Sequence, residues 1–361
     1  MSKIISIGTA LPMYKNRQDK ILEFMQEAYE LDNDEKRKLK FMYHQGGIET
    51  RYSVIPDYQF EKSNWEFYPA TKGLEPFPNL EKRMDWYNKN AGTLAYEAIK
   101  NCLAKTKEKN ITHLITVSCT GMSAPGLDIE LMQLLNLPPS TFRTSINFMG
   151  CYAAIHALKI ADAFCKTDKH ARVMIVCVEL CTLHFQKEKT LDNLTSSMLF
   201  ADGAAAALVI GDETENGLFI NHFYSTVVYP GKKDMAWALS STGFQMTLSS
   251  YIPKLIKNHF DDLLNTALQE ANLDKKEITR WCIHPGGRKI LEAAQQSLGL
   301  DRNQLNESYD VLKNFGNMSS PTILYVLQQI MNEMHSGKKE KIFGAAFGPG
   351  LTLETFIAAY D

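Results

Sequence analysis

The stretch Asn147-Phe148-Met149-Gly150-Cys151 and its counterpart Lys313-Asn314-Phe315-Gly316-Asn317 decide the reading of this 361-residue chain. Each is a junction, read as strand to helix, that sets a residue of chemical interest, a thiol or an amide, directly after a Gly. The two lie 166 residues apart, and flanking blocks repeat at nearly that offset. Ile111-Thr112-His113-Leu114 answers to Ile278-Thr279-Arg280-Trp281 at 167 residues, and Arg172-Val173-Met174-Ile175 to Lys341-Ile342-Phe343-Gly344 at 169. One such match means nothing, because strands share β-branched residues. Three in order at a near-constant offset read as a duplicated α/β half. The boundary falls in the Gly, Asp and Glu cluster between Gly211 and Gly217, giving halves 1–214 and 215–361.

Around these blocks, short β-branched runs at 113–118, 144–148 and 172–178 alternate with helically spaced segments at 80–105, 128–135 and 153–164. That alternation is the pattern of parallel strands joined by crossover helices. The stretch 52–78 breaks the rhythm. It is rich in Pro and aromatic residues, among them Tyr58, Trp65 and Tyr68, and reads as a long excursion packed across the surface. A formal net charge of -2 removes the basic excess that phosphate neutralisation demands, so nucleic acid is not an expected partner. The seven cysteines have no paired spacing of framework or zinc type and read as reduced thiols of a cytoplasmic protein. Neither a signal peptide nor stable membrane insertion is expected.

Three residues invite chemistry. Cys151 follows a Gly at the start of an apolar helix, where free backbone N–H groups and the helix dipole favour a thiolate. His284 ends the strand Trp281-Cys282-Ile283 and precedes Pro285-Gly286-Gly287, a turn that lets a ligand approach the backbone. Asn317 precedes Met318-Ser319-Ser320-Pro321, a helix start. Taken singly they are ordinary: a small core thiol, a satisfied turn residue, a cap. The duplication brings all three to equivalent or neighbouring strand ends near the middle of a pseudo-two-fold molecule. There they make a nucleophile, a base and an amide donor.

Four separated motifs then carry a family resemblance: Gly150-Cys151 opening a helix; Ile283-His284-Pro285-Gly286-Gly287; Phe315-Gly316-Asn317-Met318-Ser319-Ser320; and Phe347-Gly348-Pro349-Gly350-Leu351-Thr352. A fifth stretch is Leu199-Phe200-Ala201-Asp202-Gly203-Ala204-Ala205. Over nearly its whole length the chain resembles the type III polyketide synthases, the chalcone-synthase-like branch of the thiolase fold. The resemblance implies two duplicated α/β halves in a five-layered αβαβα arrangement and a homodimer. It implies an acyltransferase in which Cys151 takes a starter acyl group from an acyl-CoA or an acyl carrier protein. His284 lowers the pKa of that thiol, and His284 and Asn317 hold the enolate formed when malonyl-CoA loses its carboxylate. Repeated condensation then gives a pyrone or a resorcinol or phloroglucinol-type product. Phe200 stands at the mouth of the cavity, Ser319 lies in the pocket, and Gly286 and Gly287 flank the pantetheine path. No metal or cofactor is implied, coenzyme A thioesters being substrates.

The chain departs from the family pattern at several places. Met246 stands where better-known plant members carry a second aromatic gatekeeper, Trp237 where they carry Gly, and Phe244 is bulkier than usual. Such groups should shorten or divert the cavity. His184 occupies the place of a small hydroxyl residue, read as a hydrogen-bonded wall before a second acid/base, and Cys119 is placed in the same pocket by the resemblance. Of three basic residues expected on an N-terminal helix to anchor coenzyme A, Lys38 remains, while the other positions hold Phe41 and Gln45. Two enzyme rivals share the logic of the site. A single-condensation ketoacyl-carrier-protein synthase III would follow its His with Gln-Ala-Asn, and a hydroxymethylglutaryl-CoA synthase would need a Glu acid. A non-catalytic acyl-binding or scaffold relative would not need Cys151, His284 and Asn317 intact.

Overall fold

A computed structural model describes residues 2–211, 216–334 and 338–360. The expected boundary at residues 214 and 215 lies outside the described residues. The strands are β1 (Lys3–Ala10), β2 (Tyr14–Arg17), β3 (Thr50–Ser53), β4 (His113–Ser118), β5 (Phe142–Asn147), β6 (Arg172–Leu180), β7 (Asp202–Ile210), β8 (Leu218–Val227), β9 (Met235–Ser240), β10 (Gly243–Leu248), β11 (Arg280–Ile283), β12 (Glu340–Gly348) and β13 (Thr352–Tyr360). The helices are α1 (Gln18–Ala28), α2 (Asn33–Gln45), α3 (Leu80–Ala104), α4 (Leu127–Leu134), α5 (Ala153–Thr167), α6 (Leu191–Leu199), α7 (Ile252–Glu270), α8 (Arg288–Leu298), α9 (Asn306–Phe315) and α10 (Thr322–Glu333).

Nine strands hydrogen-bond in the order β11-β12-β13-β8-β1-β7-β6-β4-β5. The two halves meet where Lys3 and Ile4 of β1 pair with Phe219 and Leu218 of β8. The registers repeat the duplication seen in the sequence. His113 pairs with Val173 in parallel β4 and β6, and Arg280 with Ile342 in parallel β11 and β12. In each half an antiparallel strand follows, β7 beside β6 and β13 beside β12.

Strands covered on both faces read as continuous apolar runs, and β6 is one. Its alternate residues enter different cores. Val173, Ile175 and Cys177 join a cluster with α5 (Ala157, Leu158) and α10 (Ile323, Leu327). Met174, Val176 and Val178 join the other, with α3 (Ala95, Ile99). In the second half Ile342 and Ala346 of β12 reach the first cluster, and Phe343 and Ala345 the second, with α7 and α8. Outer helices, half-sheet, central α5 and α10, half-sheet, outer helices: these are five layers of a thiolase-like fold. Among the described residues no helix is long and apolar enough to cross a membrane.

One expectation fails. The segment before Asn317 is not a strand answering to β5 but helix α9, and β11 is left at the sheet edge. Ser308, Val311 and Leu312 are buried at the three- and four-residue spacing of one helix face, and Ser308 Oγ donates to Ile283 O at 2.7 Å. The 52–78 excursion runs after β3 through short 3-10 turns, with Tyr58, Phe67 and Tyr68 buried.

Candidate active site

Cys151, His284 and Asn317 arrive at one cavity from three directions. Cys151 sits in the 3-10 turn Gly150–Tyr152, between edge strand β5 and α5. Gly150 there has φ +77°, and a Cβ on it would come within 2.3 Å of Pro349 Cδ, so the turn demands glycine. His284 follows β11, held by its N–H to Ala345 O at 2.8 Å. Asn317 follows α9 and forms a bridge to the end of α6, with Asn317 N donating to Leu199 O and Ala201 N to Asn317 O, both at 2.9 Å. Phe148 (φ +63°) and Ser319 (φ +57°) flank the thiol and the amide in the left-handed region. Strain of this kind is tolerated where the surroundings over-determine the backbone.

The Cys151 thiol lies 4.0 Å from Asn317 Oδ1, which also accepts from Ser319 N at 2.8 Å. Asn317 Nδ2 donates to Gly286 O at 3.3 Å. His284 is 1% exposed, and neither ring nitrogen has a hydrogen-bond partner among the described residues. Burial pushes the imidazole down to about 3, so the ring is neutral, with one N–H and one lone pair. Burial pushes the Cys151 thiol up to about 11, against a lowering hydrogen bond from Ser319. The expected lowering of this thiol by His284 and a helix terminus is therefore not seen. No hydrogen bond joins Cys151 to His284 among the described residues, and the 3-10 turn separates the thiol from α5.

The cavity has a volume of about 640 Å³. Phe200, Met246, Trp237, Phe244, His184, Cys119, Ser319, Gly286 and Gly287 all line it together with Cys151, His284 and Asn317. Lys38 does not; it is exposed on α2, one turn before Phe41 and Met42, which do. One wall is a ladder of rings. His184 stacks on Phe244 at 4.0 Å, Phe244 on Trp237 at 4.7 Å, and Trp237 meets Phe148 edge-on at 5.5 Å. His184 Nε2 donates to Thr120 O at 2.8 Å, and its Nδ1 accepts from Phe244 N at 3.3 Å. With both nitrogens engaged and burial lowering its pKa to about 3, His184 is a wall group in this structure.

Two further features matter that the motifs did not reveal. Beneath the thiol, fully buried Glu179 accepts from Cys119 N at 2.9 Å, Thr120 Oγ1 at 2.8 Å and, from the other half, Ser320 Oγ at 2.8 Å. Burial raises this carboxyl to about 7. Gly150 N in turn donates to Cys119 Sγ at 2.9 Å, so the carboxyl supports the Gly150–Tyr152 turn through Cys119. The sequence held a signal for it: a lone acid near the end of an apolar β6 run. The second feature is the C-terminus of α6, whose orphan carbonyls each find a tertiary donor. Tyr43 OH reaches Ser197 O at 3.2 Å, Gln18 Nε2 Met198 O at 2.9 Å, Asn317 N Leu199 O at 2.9 Å and Arg51 Nη1 Phe200 O at 2.5 Å. Phe200 is thereby fixed beside Asn317.

Comparison with known proteins bears on the family and the fold. The chain is 29% identical over 360 residues, 97% of this chain and 89% of the relative, to the alpha-pyrone synthesis polyketide synthase-like Pks18 of Mycobacterium tuberculosis. Its fold is similar to the crystal structure of PKS-I from the brown alga Ectocarpus siliculosus, with a TM-score of 0.92 and 27% identity over 100% of this chain and 98% of that one. It is also similar to the C-terminal type III polyketide synthase domain of Steely1, a type I/III hybrid from Dictyostelium (TM-score 0.91, 25% identity, 99% of each chain). Residues 1–213 match the family model of the N-terminal domain of chalcone and stilbene synthases, and residues 221–359 that of the C-terminal domain. With both models matched and the cavity built from both matched segments, the chain belongs to the chalcone and stilbene synthase family.

Proposed function

We propose that the protein is an iterative condensing enzyme that extends an acyl thioester with malonyl-CoA and releases a pyrone or aromatic product. One observation carries the reading: a thiol, a neutral imidazole with two unpartnered buried nitrogens, and a carboxamide converge on a single cavity. Unpartnered buried nitrogens are costly, and a bound reactant that engages them recovers that cost. In the loading step the Cys151 proton passes to the lone pair of His284, and the thiolate attacks the starter thioester carbonyl. The departing thiol takes the proton back, leaving an acyl-Cys151 thioester. Malonyl thioester then loses carbon dioxide, and the electron pair of the broken bond becomes an enolate whose oxygen takes N–H bonds from His284 and Asn317. The enolate carbon attacks the acyl carbonyl, Cys151 leaves as thiolate, and the lengthened chain is ready to reload.

Phe200, with its backbone held by Arg51 and the Asn317 bridge, presents an apolar ring where the malonyl carboxylate is shed. A dry surface there disfavours the charged reactant and favours decarboxylation. The ring ladder limits room for elongation. The outer edge of β5, with Phe142 51% exposed, is the surface we assign to a homodimer contact. Intact-mass analysis after incubation with an acyl-CoA panel is expected to show an adduct on Cys151 that Cys151→Ala abolishes. His284→Gln is expected to remove malonyl-CoA decarboxylation. A protein left unmodified by every acyl donor would overturn the reading.

A further inference from the structure

The mouth of the cavity carries apolar side chains that a water-facing rim has no reason to expose. Phe41 on α2 is 67% exposed and Leu191 on α6 is 57% exposed, and both line the opening. Tyr251, 52% exposed, stands between the lining residues Ser250 and Ile252. Cations flank this apolar group. Arg288 and Lys289 line the opening at the start of α8, and Lys38 precedes Phe41 by one turn of α2. Arg288 pairs with Glu292 at 2.8 Å, whereas Lys38 and Lys289 make no ion pair among the described residues.

We infer that this rim is a docking surface for an acidic carrier protein that presents its acyl group on a phosphopantetheine arm, the inference resting on the condensing-enzyme reading above. A nucleotide bound at the same place would be held by cations reaching its phosphates. Here the α2 residues at the opening are Phe41, Met42 and Gln45, none of them a cation, and Lys38 is exposed one turn before them. An exposed aromatic and a leucine beside lysines that make no ion pair among the described residues are better matched to a protein face, where apolar anchors sit inside a charged rim and complementary charge speeds encounter. The cavity then receives only the arm and its acyl group. The arm's single phosphate meets Arg288 and Lys289, and the carrier's acidic face meets Lys38. A membrane surface also pairs apolar and basic groups, but these groups surround the entrance that leads to Cys151, which favours a donor that must deliver into it.

The test measures the rate of Cys151 acylation by intact mass, using one medium-chain acyl group on three donors: an acidic acyl carrier protein, coenzyme A and N-acetylcysteamine. The expected result is at least tenfold higher kcat/KM for the carrier than for coenzyme A, with the advantage shrinking as salt is raised. In Phe41→Asp and, separately, Lys289→Glu, the carrier-to-N-acetylcysteamine ratio of kcat/KM is expected to fall at least tenfold. Coenzyme A loading as fast as the carrier, or ratios unmoved in both variants, would overturn the proposal. So would acceleration of acyl-CoA loading by anionic lipid vesicles with no carrier preference, which would make the rim a membrane contact. Failure of all three donors, N-acetylcysteamine included, would instead strike the condensing-enzyme reading itself.

Discussion

Replacing Trp237 by Ala removes the middle of the ring ladder, since its indole lies between Phe244 at 4.7 Å and Phe148 at 5.5 Å and also lines the cavity. Two effects follow, and they are separable. Truncating a fully buried Trp costs about 3–5 kcal/mol. Trp237 is only half-buried and gives up two ring contacts of about 0.5–1.5 kcal/mol each, so a loss of about 2 kcal/mol is expected. That would lower the melting temperature by a few degrees and leave the fold intact. The second effect is on product length. Each round of extension adds one methylene and one carbonyl, and burying the methylene is worth about 0.8 kcal/mol where there is room. Opening the ladder should therefore raise the ratio of the product one ketide longer to the parental product by about fourfold. The assay is mass spectrometry of products from malonyl-CoA and a fixed starter, alongside thermal unfolding. Trp237→Phe, which keeps a ring in the stack, should leave the distribution close to the parent's. A folded Trp237→Ala enzyme with an unchanged product ratio would refute the view that the ladder bounds elongation.

Other consequences can be checked more briefly. Gly316 has φ +71°, and a Cβ there would come within 2.9 Å of Arg51 Cγ and 3.1 Å of Leu199 O, whereas Gly299 at φ +59° has open space. Gly299→Ala should cost about 1 kcal/mol for the left-handed backbone alone; Gly316→Ala should cost more and, by shifting Asn317, lower malonyl-CoA decarboxylation at least tenfold in a coupled assay. Glu179 has a pKa of about 7 in the folded chain against an ordinary 4.5, so between those values the folded state holds a proton that the unfolded state has released. Its contribution is fully present below pH 4.5 and is lost as pH rises through 7, by about 3 kcal/mol. Denaturant unfolding across that window should show a fall in stability that Glu179→Gln flattens. His184→Phe should keep the stack on Phe244 but lose both the bond to Thr120 O and the one from Phe244 N, costing about 2 kcal/mol while acyl loading on Cys151 persists; loss of loading would make His184 more than a wall.

What the sequence could and could not disclose follows from the range of the forces involved. The duplication was legible because each half must bury its strands on both faces, and β6 and β12 therefore carry the same apolar pattern at a fixed offset. The gathering of Cys151, His284 and Asn317 was legible for the same reason, since equivalent chain positions in a duplicated fold meet at its centre. The pattern misled before Asn317, where a short apolar run fits either period and α9 was decided by packing of Ser308 onto Ile283. It also gave no access to the thiol's environment. Proximity to a helix start argues for a lowered pKa, but desolvation dominates once the turn is sealed inside the cavity and Glu179 lies beneath it. The fixing of Phe200 was the least visible of all. Its donors come from residues 18, 43, 51 and 317, over a hundred positions away, and each is an ordinary Gln, Tyr, Arg or backbone amide until the fold brings it to a carbonyl at the end of α6. A buried Arg with no ion pair among the described residues looks like a defect in a list of residues. In the folded chain Arg51 is what holds the carbonyl of Phe200, the residue proposed to face the malonyl carboxylate.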